Sequence, residues 1–259
     1  MAEFSLKNHW QNRKTAFLGD SITDAIHVGT TKNYWQFLEE YLQLQPLVYG
    51  INGQQFCDIP GQAEKLFNDH GSDVDAVIVF AGTNDYSSGL PLGEWYTYAD
   101  CQVNCRGEEV IRSKRSLSFD NTTFRGRINI AVKYLKEHFP ASQIILLTML
   151  HRGFAEFGGS NIQPAECYAN SCGLFVEDYV NVIKEAGNVW AVPVIDLNSI
   201  CGLYPLEETN ALYWRRATLG KSEKSGRPRI DRLHPNSAGH LRMAHALAYQ
   251  LLGYPAKLD

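Results

Sequence analysis

Five apolar runs of strand length punctuate the chain: Thr15 to Leu18, Leu47 to Ile51, Ala76 to Ala81, Ile144 to Met149 and Val189 to Ile195. They are rich in Val, Ile, Leu and Phe and lack strict alternation, which is how strands covered on both faces read. Between them the apolar positions follow a helical period. Ile128, Ala131, Val132, Leu135 and Phe139 share one face, and Phe175, Tyr179, Val182 and Ala186 share another, with Gly187 as the expected stop. A last helix is predicted from about Asn236 to Leu252, with Pro235 and Asn236 at its start. The repeated strand-helix-strand order predicts an α/β fold: a three-layer α/β/α sandwich on a doubly wound, parallel, five-stranded sheet. The flavodoxin-like strand order 2-1-3-4-5 is the expected one. Three stretches lack periodicity and exceed ordinary connections, Tyr86 to Asn121, His151 to Cys172 and Asn198 to Arg229. All three follow strands, and long loops at that edge usually carry function.

Composition narrows the classes. A chain of 259 residues with 44% hydrophobic content fits one large α/β unit spanning 1–259. A formal charge of −4 gives no general attraction to nucleic acid or to acidic membrane surfaces. The opening Met1 to Lys7 has no basic region leading into an apolar stretch, and no later window has the length to cross a bilayer. A cytoplasmic location without membrane or nucleic-acid partners is the expectation; the oligomeric state stays open. Six cysteines in a chain too large to need stapling, at spacings that match no zinc pattern, read as reduced thiols.

In an open parallel sheet, ligands sit beyond the carboxyl ends of the strands, where the winding reverses. Four segments fall there: Gly19-Asp20-Ser21, Asn52-Gly53-Gln54, Gly82-Thr83-Asn84-Asp85, and Asp231-Arg232-Leu233-His234-Pro235 before the last helix. Adjacent strands lie about 4.8 Å apart, so a 2-1-3 order brings Ser21, Gly53 and Asn84 into one patch. Each has a plain structural role when taken alone. Ser21 reads as a helix cap, Gly53 as a turn glycine, Asn84 as a turn amide and His234 as a surface or core histidine. Together they supply a reaction. A serine hydroxyl needs a neutral imidazole to take its proton, and the other ring nitrogen of that imidazole needs an acceptor. Asp231, three residues before His234, is the nearest carboxylate; Asp196, after the fifth run, is its rival. An asparagine amide beside backbone N–H groups can face a developing oxyanion.

These four blocks, in register from about Thr15 to Leu252, resemble the SGNH hydrolases, also called the GDSL esterase and lipase family. The resemblance implies that Ser21 is the nucleophile and that His234 is the general base held by Asp231. It also implies an oxyanion hole made of the Ser21 N–H, the Gly53 N–H and the Asn84 side chain. Gly50 competes with Gly53 for the donor from the second block. Asp20 reads as structural, its carboxylate turned from the site to bind loop backbone. Neither a metal nor a cofactor is required.

Competing motifs are missing. There is no Gly-x-Ser-x-Gly elbow and no Gly-x-Gly, and Gly220-Lys221-Ser222 lacks the upstream glycine of a phosphate-binding loop. The long loops hold Trp95, Tyr96, Tyr98, Tyr204, Tyr213 and Trp214. Interleaved with these are Arg112, Lys114, Arg115, Arg215, Arg216, Lys221, Lys224, Arg227 and Arg229. Aromatic faces beside basic groups suit a sugar or a polar ester better than a long alkyl chain. His151, Arg152, Trp95 and Trp214 are the candidate substrate contacts. The expected activity is a serine esterase acting on a short-acyl, acetyl-type ester of a carbohydrate or other small polar molecule. A lipase or thioesterase of the same family, or a non-catalytic carbohydrate-binding protein on the same fold, are the alternatives.

Overall fold

The computed structural model describes residues 8–158, 160–215 and 230–258. The first half runs β1 (Lys14–Gly19), α1 (Tyr34–Leu42), β2 (Gln45–Val48), α2 (Ile59–His70), β3 (Ala76–Phe80), α3 (Thr83–Ser87), β4 (Tyr96–Cys105) and β5 (Glu108–Leu117). The second runs α4 (Phe124–His138), β6 (Gln143–Leu147), β7 (Ala155–Gly158), β8 (Asn161–Gln163), α5 (Val176–Trp190), β9 (Val194–Ile195), α6 (Leu197–Ile200) and α7 (Ser237–Leu251). Five strands pair in parallel in the order β2-β1-β3-β6-β9. Counting sheet strands alone, this is the order 2-1-3-4-5.

The runs are apolar at every position because both sides of the sheet end in a core. Ala16, Leu18, Val77, Val79, Ile144 and Leu146 pack with residues of α2, α4 and α5. Their neighbours in sequence, Phe17, Ala76, Ile78, Phe80, Ile145 and Leu147, pack with α1 and α7 on the opposite face. Each buried Val, Leu, Ile or Phe contributes roughly 1.5–3 kcal/mol over its exposed state, and because the two faces differ in side-chain volume, Ala16 on one and Phe17 on the other, close packing fixes which residue enters which core.

Several expectations shift. Val189 and Trp190 finish α5, and the fifth strand is only Val194–Ile195. Gly187 is not the stop, since the helix passes through it and turns off at Ala191, which takes φ +51°. Gly187 serves close packing: a Cβ there would lie 2.8 Å from Val194 Cγ2. Two of the stretches read as loops contain ribbons. β4 and β5 form a ten-residue antiparallel hairpin, and β7 pairs with β8. The β4–β5 turn is Arg106-Gly107, both at positive φ, the two-residue geometry that matches strand twist. Of the basic positions in the third stretch, Arg216, Lys221, Lys224, Arg227 and Arg229 lie outside the described residues. Among the described residues no helix is long and apolar enough to cross a membrane.

Candidate active site

The site begins where β1 meets β3. A Cβ on Gly19 would lie 2.3 Å from Phe80 O, so only glycine lets the strand end this close to its neighbour. The α2 side chain Gln62 fixes that residue twice, accepting from Gly19 N–H at 2.8 Å and donating to Gly19 O at 2.7 Å. The bend that follows does not enter a helix directly. It closes as a turn in which Thr23 and Asp24 N–H both donate to Asp20 O at 3.0 Å, and α1 starts only at Tyr34. Asp20 is buried; its Oδ1 accepts from Ile22 N–H at 3.1 Å, and burial pushes its carboxyl up to about 6. Ser21 stands on this turn, 7% exposed.

His234 approaches from the segment before α7. Asn236 caps that helix, its Oδ1 accepting from Ala238 and Gly239 N–H, and its amide donates to Leu212 O and Trp214 O. The cap therefore fixes the entry of the chain two residues after the imidazole. His234 Nε2 lies 2.9 Å from Ser21 Oγ, and His234 Nδ1 lies 2.9 Å from Asp231 Oδ2. Asp231 is fully buried, and its other oxygen accepts from Leu233 N–H at 3.0 Å and His234 N–H at 2.9 Å. Burial works to raise the Asp231 carboxyl, but the hydrogen bond and charge of His234 with the two backbone donors outweigh it and hold the group below the usual carboxylate range. An ionised carboxylate only accepts, so His234 Nδ1 carries the proton and Nε2 is left to accept from the serine. Arg215 Nη1 stands 3.5 Å from Asp231 Oδ2, the oxygen that faces His234, a contact that no local pattern marks. The rival Asp196 is elsewhere, bonded to Thr148 Oγ1 and Lys184 Nζ at 2.9 Å each.

The second and third blocks meet beside this line. Residues Ile51 to Gln54 form a turn closed by Gln54 N–H to Ile51 O, with Gly53 at φ +83°. Gly53 is exposed, whereas Gly50 is buried so tightly that a Cβ would lie 2.7 Å from Thr23 Cβ. Neither the Ser21 N–H nor the Gly53 N–H donates to an acceptor among the described residues. Asn84 Nδ2 donates to Gln54 O at 2.9 Å, and Asn84 O accepts from Gln55 Nε2 at 3.1 Å. One amide hydrogen thus orients the side chain and the second stays available. Asp85 secures the short helix that carries Asn84. Fully buried, it accepts from Phe56 N–H at 3.0 Å and Arg127 Nη1 at 2.8 Å. Burial still pushes it up to about 6 against the pull of Arg127. Gln54, Gln62, Asp24 (which accepts from Asn52 N–H at 2.7 Å) and Arg127 are supports that sequence reading missed, since each acts on a distant segment.

The expected substrate contacts divide. His151 and Arg152 stand at this edge after β6, His151 Nδ1 2.7 Å from Glu166 Oε1. Glu166 draws the imidazole above its ordinary range. Trp214 is not a contact: it is 1% exposed and packs in the α1–α7 core, so no ring face meets a ligand. Trp95 is also displaced from the site. Its indole donates to Glu185 Oε2 on α5 at 2.7 Å and its ring packs against the other core at the foot of the β4–β5 hairpin.

A parallel α/β sheet with serine, histidine and carboxylate in one line at its carboxyl edge is a layout met among acylhydrolases. Residues 17–242 match the GDSL-like Lipase/Acylhydrolase family, and the chain belongs to it. The protein is a hydrolase of ester bonds. No curated protein matches the chain. Similar solved structures include a protein from Lactobacillus plantarum, at 24% identity and TM-score 0.68, covering 94% of this chain and 98% of that one. A member of the lipolytic G-D-S-L family from Veillonella parvula aligns at 14% identity and TM-score 0.57, over 92% and 97%. An acetylxylan esterase from Geobacillus stearothermophilus aligns at 17% identity and TM-score 0.53, over 96% and 98%. At these identities the likeness is one of fold.

Proposed function

We propose that the protein is a serine esterase that hydrolyses short-acyl, acetyl-type esters of a carbohydrate or other small polar molecule. The observation that carries this is the unbroken line from Asp231 through His234 to Ser21, with 2.9 Å at each step. Ser21 Oγ attacks the ester carbonyl carbon as its proton passes to His234 Nε2. The tetrahedral intermediate collapses, the alkoxide leaves with that proton, and an acyl-serine remains. Water then gives a proton to His234 and attacks the acyl carbon, releasing the acid and restoring the serine. Ser21 N–H, Gly53 N–H and the second Asn84 amide hydrogen are the donors for the oxyanion in both halves. Polar side chains around the edge, and a sequence without a long continuous apolar stretch in its loops, favour short acyl groups; the acetylxylan esterase fold neighbour points the same way.

The deciding experiment is hydrolysis of p-nitrophenyl esters of increasing acyl length, followed by acetylated sugars, with a serine-directed phosphonate as label. The phosphonate should modify Ser21, read by mass spectrometry of the labelled peptide. Values of kcat/KM should be highest for acetyl to butyryl and fall at eight carbons and beyond. A steady rise toward long chains would replace this reading with a lipase, and label on another serine with loss of activity would move the nucleophile.

Asn84→Ala tests the oxyanion donors. It should lower kcat by roughly 10² to 10³ with little change in KM, because the bond to the oxyanion forms mainly in the transition state. The alternative is a purely structural amide, which predicts a lowered thermal midpoint and near-normal turnover in the folded fraction. Both quantities measured on one preparation separate the two.

A further inference from the structure

We propose that the cavity of about 220 Å³ lined by Tyr86, Ser87, Arg152, Gln163 and Ser171 is a carboxylate-recognition subsite, and that the ester hydrolysed by this enzyme carries a free carboxylate. The inference rests on the esterase reading and narrows its substrate class.

Arg152 is the reason. The residue is 3% exposed, yet no carboxylate lies within ion-pair distance of its guanidinium among the described residues. Nη1 donates to Ser87 Oγ and Nη2 to Gln163 Oε1, both neutral, and the buried Nε has no partner. The nearby acid is already committed. One oxygen of Glu166 meets His151 Nδ1 and the other accepts the Arg152 backbone N–H at 2.8 Å. Glu166 and Asp231 act on the guanidinium through charge from a distance, but neither makes an ion pair with it. The Tyr86 ring, 5.3 Å from the guanidinium carbon, offsets part of the desolvation by a cation–π contact. Burying a charge without a counter-ion is costly, and a planar guanidinium with donors to spare matches a carboxylate in two-point geometry.

Segments that line the cavity are tied to those that carry the reacting groups. Ser87 stands one helical turn beyond Asn84 on α3. Gly153 N–H donates to Arg232 O at 2.8 Å and Ala155 bridges to Asp231, which ties the Arg152 segment to the acid behind His234. These ties place Arg152 at the same edge of the sheet as the reacting groups, and in the proposed complex a carboxylate on the ester spans from Ser21 to it. That carboxylate can belong to the acyl part, as in a dicarboxylic half-ester, or to the alcohol part, as in an acetylated hydroxy acid or uronic acid.

The test compares each anionic ester with a neutral isostere. p-Nitrophenyl hemisuccinate and hemiglutarate are set against the butyrate and valerate esters, and O-acetylated galacturonic acid against acetylated galactose. At least one anionic member should exceed its neutral partner tenfold or more in kcat/KM, and the arm in which it does so assigns the carboxylate to acyl or alcohol. In Arg152→Met that ratio should collapse toward one, while Arg152→Lys keeps part of it. Equal rates for every pair in the wild type overturn the proposal without any variant. So does a ratio that persists in folded Arg152→Met. Calorimetric titration of glutarate and of galacturonate into Ser21→Ala protein separates this from the esterase reading. Saturable binding of either, lost in Ser21→Ala with Arg152→Met and only weakened in Ser21→Ala with Arg152→Lys, supports the subsite even if no ester is turned over. Absence of binding together with brisk hydrolysis of neutral esters removes the subsite and leaves the esterase.

Discussion

Exchanging Asp231 for asparagine should lower kcat by about 10⁴ while the protein stays folded. The size follows from which atom of the new amide faces the imidazole. In the native loop Asp231 Oδ1 accepts from the Leu233 and His234 backbone N–H groups, so an asparagine must keep its oxygen there. The amide nitrogen then occupies the place of Oδ2, 2.9 Å from His234 Nδ1, and donates to it. His234 is forced to carry its proton on Nε2, the atom that should accept from Ser21 Oγ. The base is thereby switched off by a single misplaced hydrogen, with packing unchanged. KM for a short ester should move little and the thermal midpoint should stay within a few degrees. A fall in kcat of less than tenfold, in protein whose fold is verified by circular dichroism, would mean that Asp231 does not set the tautomer. Aspartate restored at that position on the same background must recover the rate.

The fold was legible wherever both faces of a strand are covered. β1, β3 and β6 announce themselves because alternate residues enter different cores and no polar position interrupts them. The β4–β5 hairpin was hidden for the converse reason. Its strands are exposed along most of their length on both faces, so no alternation marks them, and the only local signal is Arg106-Gly107. Gly187 misled because a glycine needed for close helix–strand packing has the same letter as one that ends a helix. In the site, Ser21, Asn84 and His234 were readable since each sits in a short block at a strand or helix end. Their supports were not. Gln62 on Gly19, Arg127 on Asp85 and Glu166 on His151 act across 43, 42 and 15 residues, and a sequence read along its length carries no sign of such pairs. Trp214 shows the remaining gap: an aromatic in a loop-like stretch reads as a ligand contact, whereas the chain folds it against α7 into the core.

Ser21→Ala and His234→Ala should each reduce kcat by roughly 10⁵ to 10⁶, and the double variant should be no slower than either. Nucleophile and base act on one proton, so once either is gone the other has nothing to do. Two independent contributors would instead multiply their losses. The residual rate above uncatalysed hydrolysis then comes from the oxyanion donors, Ser21 N–H being retained in alanine, together with whatever binding the cleft supplies. Adding Asn84→Ala to the double variant should therefore lower what remains. Phosphonate labelling gives a second readout on the same proteins. Ser21→Ala should not label at all, whereas His234→Ala keeps the hydroxyl 213 residues away in sequence but loses its acceptor at 2.9 Å, and should label far more slowly than the wild type. Wild-type labelling speed in His234→Ala, or multiplicative loss in the double variant, would show that another group activates Ser21.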